Sequence, residues 1–564
     1  MRQSSPFVEL AGFARGIAPT GRMRRLTRFG LGLCLALVLA VTACTGPATE
    51  TGGPGTGGGS QTAGGGTVNI YLYQEPAGIF GPLAPASGPD NQVNSLIFEG
   101  LLAADPDFKL QPVLAESFEV SEDARTFTFK LRPGLKWNDG EPLTSADVLF
   151  TYNAAANPKT KSAAAGLFAS VVGAKEVAEG KAETVSGFSA PDDQTFVVKT
   201  TKPNYGLLAQ IGLTYILPEH VLGDVPAEEL YDNEYFKKPT VTSGPFKFVE
   251  YKTSQYVHVV ANPEASPAPK LKEIYLKPMS SDVATAELGN GGLDVATVSP
   301  LDLETLEGFD HLEVQEKLGA GFIRIGLNQS RDYFKDKRVR QAFLYAVNRA
   351  DLVDQVLKGK AVVQNSDFYT PNAPQDLNDY AYDPAKAKQL LTEAGWDFDR
   401  KIDLMWIPGQ RDRDASTTIV QSQLKEIGVD VELRQVQASE ITKIYSDKDF
   451  DMVLYGGGNY ALDGSNVSVI TGCDNWYPAG GNINYFCDPE LDKIMKEANA
   501  TVDDAKRAEL YEQAARISNE QADLFWLYSP YGLWVVNKRL KGFEAPGSQE
   551  VPFWNPAAWS VAEN

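Results

Sequence analysis

Three stretches of this 564-residue chain hold side chains whose type and spacing could do chemistry. In Leu404-Met-Trp-Ile-Pro-Gly-Gln-Arg411 a strand delivers the indole of Trp406 and, at its exit, the guanidinium of Arg411. A guanidinium fork makes two parallel charge-assisted bonds to one carboxylate, so Arg411 is a candidate grip for an anion. Set in an acidic turn, with Asp412 and Asp414 on either side of Arg413, the same residue could equally be a solvated surface cation. In Phe450-Asp-Met-Val-Leu-Tyr-Gly-Gly-Gly-Asn-Tyr-Ala-Leu-Asp463 a second strand runs into Gly456, Gly457 and Gly458, followed by Asn459, Tyr460 and Asp463. Consecutive glycines strip side chains from a wall and let backbone approach a ligand, or let a bulkier ligand fit. The third stretch is Asp474 to Phe486, a polar loop bracketed by Cys473 and Cys487.

Other chemistries find no support. His220, His258 and His311 are far apart and have no second ligand at metal spacing, so no metal site is predicted. Asp447-Lys-Asp-Phe-Asp451 opens like a calcium loop but places Met452 where the sharp turn needs Gly. Gly53-Pro-Gly-Thr-Gly-Gly58 matches a dinucleotide fingerprint in form only, with no strand before it and no helix after it. Among 73 acidic residues some pair always mimics a glycosidase dyad, so such a pair carries no weight. No catalytic residue and no cofactor is predicted. The chain carries a net charge of −21; the first 43 residues hold six Arg and one Glu, which leaves −26 on the remainder. A surface this acidic repels phosphate backbones and excludes nucleic acid as a partner.

The elements that must position these residues are legible in part. Phe127, Phe129 and Leu131 alternate with Thr126, Thr128 and Lys130, the pattern of a half-buried strand. Ser117 to Val120 is its shorter partner across the polar turn Ser121–Arg125. Thr144 with Asp147 three residues on is the start signal of a helix. Further strands are expected at Val68–Tyr73, Thr195–Thr200 and Phe322–Asn328. At the N-terminus Arg22, Arg24, Arg25 and Arg28 precede an apolar run from Phe29 to Val41, too short for a comfortable membrane span. It ends in Val41-Thr42-Ala43-Cys44, which resembles a bacterial lipobox, so Cys44 is the expected lipidation site and Met23 the expected start. Thr45 to Thr67 is rich in Gly, Thr, Ser and Pro and reads as a flexible tether.

The run from Leu114 to Tyr152, with Leu131-Arg-Pro-Gly-Leu-Lys-Trp-Asn-Asp-Gly140 at its centre, resembles a signature of the extracytoplasmic solute-binding proteins of peptide-type ABC importers, the oligopeptide- and dipeptide-binding family 5. Thr242-Ser-Gly-Pro-Phe-Lys-Phe248, Asp336-Lys-Arg-Val-Arg-Gln-Ala-Phe-Leu-Tyr-Ala-Val-Asn-Arg349 and Asp383–Trp396 resemble further segments of that family in the same order. The resemblance implies an α/β, two-lobed periplasmic-binding-protein-like fold with an extra subdomain in the first lobe and a two-strand hinge. It divides the chain into a signal peptide over 1–43, a lipid-anchored tether over 44–66, a discontinuous lobe I over 67–323 and 528–564, and lobe II over 324–527. It implies no enzyme but the receptor of an importer, a monomer at the outer face of the cytoplasmic membrane or in the periplasm, with ABC permease subunits as partners. The ligand would be a peptide; oligosaccharides are the alternative and a secreted hydrolase the rival class. Tyr73, Gln74, Trp406, Arg411, Gly457, Gly458, Asn459, Tyr460 and Asp463 are the residues expected at the ligand, with Arg411 on a peptide carboxylate. The family's ammonium-binding Asp position is occupied here by Tyr460, and its Trp position by Gly457. Some dipeptide-binding relatives bridge a loop like 474–486, and Cys473 and Cys487, left in an oxidising compartment, are expected to pair.

Overall fold

The strand Thr126–Leu131 buries Phe127, Phe129 and Leu131 and turns its other face outward, as its alternation requires. It sits second in a four-stranded antiparallel sheet, between Ala115–Val120 and Thr195–Lys199, with Phe188–Asp192 at the edge. Thr144 and Asp147 form a reciprocal cap: Ala146 N donates to Thr144 Oγ1 (3.2 Å) and Thr144 N to Asp147 Oδ2 (2.8 Å). This satisfies donors that a helix start leaves free, and the helix Ser145–Ala156 follows. This computed structural model describes residues 65–562 except 85–86, 163–164, 320, 369–372, 438–439, 459–463, 466, 479 and 548–552. The signal segment and Cys44 lie outside the described residues, as does the tether up to residue 64.

The principal sheet has twelve strands and is organised around one long strand, Phe525–Asn537. Residues 525–530 of that strand pair antiparallel with Gly321–Leu327 and Ala361–Val363. Residues 531–537 pair antiparallel with Leu312–Leu318 and Val295–Thr297. On one side the sheet continues through Thr67–Leu72, parallel to Glu273–Pro278, and then antiparallel through Tyr256–Ala261 to Phe246–Lys252. On the other, Gly321–Leu327 pairs antiparallel with Met452–Gly458, which lies parallel to Lys401–Trp406, itself parallel to Asp430–Gln435. All seven residues of Gly321–Leu327 are buried, as expected of a strand covered on both faces.

The apolar side chains segregate into two large cores. One gathers Val68, Phe127, Trp137, Tyr152, Phe246, Ile274, Trp534 and Trp559. The other gathers Ile325, Phe334, Phe343, Leu404, Val420, Met452, Phe525 and Trp526. Within the segment Asp336–Arg349 a helix runs Lys337–Ala346, capped by Asp336, and buries Val339 and Phe343; Val347, at its C-cap, is buried as well. A small third group, with Tyr71, Ala284, Leu288, Ala296, Leu306 and Val535, packs Tyr73 and Val298 against its edge. The result is the mixed α/β, two-lobed architecture that the motifs predict.

Candidate functional site

The strand Lys401–Trp406 leads into the turn that opens the helix Arg411–Glu426. Trp406 is only 6% exposed, and its Nε1 donates to Asp414 Oδ1 at 2.7 Å. The other oxygen of Asp414 accepts from Gly409 N (3.2 Å), and Gly409 stands at φ 118°, a value that favours glycine. These two bonds fold the exit turn back, so that the helix Arg411–Glu426 begins directly after it. The ring of Trp406 is thus packed into the second core.

Arg411, at the first position of that helix, reaches away from its own core. Its Nη2 donates to Asp282 Oδ1 at 2.6 Å and its Nη1 stands 3.9 Å from Asp302 Oδ1. Asp282 lies on the helix Ser281–Gly289 and Asp302 ends the turn Pro300–Asp302; both elements border the group around Tyr71 and Val535. Arg411 therefore spans a seam between the two halves of the principal sheet. Tyr73 lies on the same side of the seam as the two carboxylates, packed at the edge of that group, while Gln74 beside it is exposed.

The glycine run lies across the sheet from Gly321–Leu327, with Gly456 opposite Ile323, Gly457 opposite Phe322 and Gly458 opposite Gly321. The space vacated by the missing side chains is not empty. A Cβ on Gly456 would fall 2.4 Å from Ile323 Cδ1 and 2.8 Å from Arg413 Nη2, and one on Gly457 would fall 3.0 Å from the Phe322 ring. Asn459, Tyr460 and Asp463, the continuation of the run, lie outside the described residues. Cys473 and Cys487 are joined in a disulfide. The loop between them is pinned further by Asn482, whose Nδ2 donates to the carbonyls of Gly472 (3.2 Å) and Phe486 (2.8 Å).

Two charged features escaped the sequence reading. The first is Arg413, flanked by Asp412 and Asp414 yet forming no ion pair and donating no hydrogen bond among the described residues; its Nε is buried without a partner. The second is a buried cluster beneath the seam. Arg324 Nη1 meets Asp367 Oδ1 at 2.9 Å, its Nε donates to the Tyr455 hydroxyl (3.0 Å), and its guanidinium lies 3.7 Å from the Phe322 ring centre. Trp526 Nε1 donates to the same Asp367 oxygen at 3.0 Å, and Ser518 Oγ to Asp523 Oδ1 at 3.0 Å. Burial pushes both Asp367 and Asp523 above the usual carboxylate range, and for Asp523 the neighbouring Asp367 charge adds to the effect. The signal for this cluster was present in the sequence: Arg324 is the one charge inside the apolar run Phe322-Ile-Arg-Ile-Gly-Leu327.

A cavity of about 910 Å³ lies against the first core, walled by Phe98, Leu102, Leu213 and Phe553, with Ser465 also in its lining. Glu99 and Arg132 both line it. Burial raises the Glu99 carboxyl to about 7, against the opposing pull of Arg132.

Residues 109–477 match the family described as bacterial extracellular solute-binding proteins, family 5. A protein of Brucella melitensis named for ABC transporter peptide binding is 30% identical over 505 residues, covering 86% of this chain and 92% of that one. The oligopeptide-binding protein AppA of Bacillus subtilis is 27% identical across 96% of this chain and all of its own length. The structure of that AppA, in complex with a nonapeptide, superposes with a TM-score of 0.76 at 26% identity and covers 89% of this chain and 99% of the AppA chain.

Proposed function

Since the chain belongs to the bacterial extracellular solute-binding proteins of family 5, we propose that it is the lipid-anchored receptor of an ABC importer and captures peptides in a cleft along the seam between its lobes. In this reading lobe I comprises 67–323 and 528–564, lobe II comprises 324–527, and the strands Gly321–Leu327 and Phe525–Asn537 are the hinge. The protein performs no chemistry on its ligand; it encloses the ligand and hands it to separate permease subunits. The observation that carries the reading is the seam itself: Arg411 on one core faces Asp282 and Asp302 on the other, with Tyr73 on the carboxylate side. Charged and aromatic groups concentrated where two cores meet suit a zwitterionic ligand, because a peptide's termini need opposite charges once water is excluded. Acylation at Cys44 would hold the acidic domain at the membrane through its tether. One acyl chain binds only marginally, so two or more are expected.

Thermal denaturation in the presence of peptides tests the reading. Peptides of two to nine residues should raise the midpoint progressively with concentration above Kd. Cello- or xylo-oligosaccharides that raise it while peptides do not would replace the peptide by a sugar. Cys44→Ser should release the protein from the membrane fraction; retention there would overturn the anchor.

A further inference from the structure

We propose that the two arginines in the first turn of the helix Arg411–Glu426 divide the work of the cleft: Arg411 latches the lobes together, and Arg413 receives a carboxylate of the bound peptide. The proposal rests on the peptide reading and assigns the anion grip to a different residue from the one the sequence favours.

Arg411 already has two carboxylates, Asp282 at 2.6 Å and Asp302 at 3.9 Å, both contributed by the other core. An anionic ligand arriving there would face two like charges and would have to displace one of them. The Arg411 side chain is half exposed, so the pair is weak and salt-sensitive, the kind of contact that can form on closure and break on opening.

Arg413 is the opposite case. One terminal nitrogen of its guanidinium stands against Gly456, which is in register with Ile323 and, through it, Tyr528 on the adjacent strands, in space that exists because position 456 has no Cβ. Arg411, Asp412 and Asp414 are its neighbours on the same helix, and the Tyr528 hydroxyl is within electrostatic reach. Asp414 is occupied by Trp406 Nε1 and Gly409 N, and Asp412 Oδ2 lies 3.5 Å from the Tyr528 hydroxyl, which also meets Ser416 Oγ at 3.1 Å. None of these carboxylates pairs with Arg413. Arg413 is half-buried: its Nε is shut off from water without a partner while its terminal nitrogens are not, so a carboxylate that reaches them can form a forked pair. The start of a 16-residue helix adds positive potential at the same place.

The test is calorimetric titration of the full chain with tetra- and pentapeptides, each as free acid and as a form in which every carboxylate is amidated. The native protein should bind the acids at least ten times more tightly. Arg413→Met should abolish that preference, and Arg413→Lys, which keeps charge without the fork, should retain part of it, with the unliganded melting temperature as the folding control. Arg411→Met should keep the preference while weakening acids and amides equally, and in ligand-free protein it should increase the radius of gyration measured by X-ray scattering. A preference that survives Arg413→Met, or is erased by Arg411→Met, overturns the assignment of Arg413. An unchanged radius for Arg411→Met overturns the latch. Should neither form of any peptide bind the native protein, the peptide reading itself has failed, and this assignment falls with it.

Discussion

Arg324 and Asp367 meet at 2.9 Å with side chains 5% and 0% exposed, on elements 43 residues apart in sequence. Burial raises the carboxyls of both Asp367 and Asp523, the Arg324 charge pulls both the other way, and the Asp367 charge adds to the rise at Asp523. Removing one member of a buried pair leaves the other without compensation, at a cost of about 3–5 kcal/mol. Arg324→Met should therefore lower stability by that order in urea unfolding. The double change Arg324→Met, Asp367→Asn should recover a measurable part, because it removes the stranded charge.

Glu99 sets a pH dependence of known sign. Its folded carboxyl is raised to about 7 by burial, whereas unfolded glutamates titrate near about 4.3. Between those values the folded state holds the extra proton, so this group's contribution is fully present below about pH 4 and is lost as pH rises through 7. Glu99→Gln removes that dependence. The variant should gain on the native protein by about 3–4 kcal/mol between pH 4 and pH 8 in matched denaturant titrations.

The bridge Cys473–Cys487 closes a loop with a sequence separation of 14. In the chain-entropy model a loop of this length contributes roughly 3 kcal/mol. Reduction should lower the unfolding midpoint accordingly, and Cys473→Ser should reproduce the effect without reductant. Two reactive thiols at these positions in unreduced, denatured protein would show the bridge to be unmade in solution.

Gly244, inside the segment Thr242–Phe248, lies against backbone: its N donates to Ile97 O at 2.8 Å, and a Cβ there would fall 2.4 Å from Ile97 C. Backbone at the end of the helix Gly88–Ile97 cannot step aside as a side chain can. Gly244→Ala should thus cost about 1–3 kcal/mol or more. Gly166→Ala, where no atom stands within 4 Å, should be near neutral in the same assay.

The framework was legible wherever a local rule decides the outcome. The alternation at Phe127, Phe129 and Leu131, the Thr144–Asp147 cap and the Lys337–Ala346 helix depend on neighbours within a few residues. The site was less legible because its partners are remote. Nothing near Arg411 in sequence announces Asp282, 129 residues away. The acidic turn that made a solvated arginine plausible at 411 instead leaves Arg413 unpaired, since Asp414 is spent on Trp406 and Gly409. The glycine run reads as an open wall, yet part of its space is filled by Ile323, Phe322 and Arg413 from strands and turns that only the folded sheet brings together.

The strand Phe525–Asn537 has a consequence for the order of assembly. Every strand it pairs with precedes it in the chain, and those partners belong to both halves of the principal sheet. During synthesis, then, neither half can close its sheet until this single late segment has emerged. The polypeptide stays unfinished in both halves together until that segment has been made.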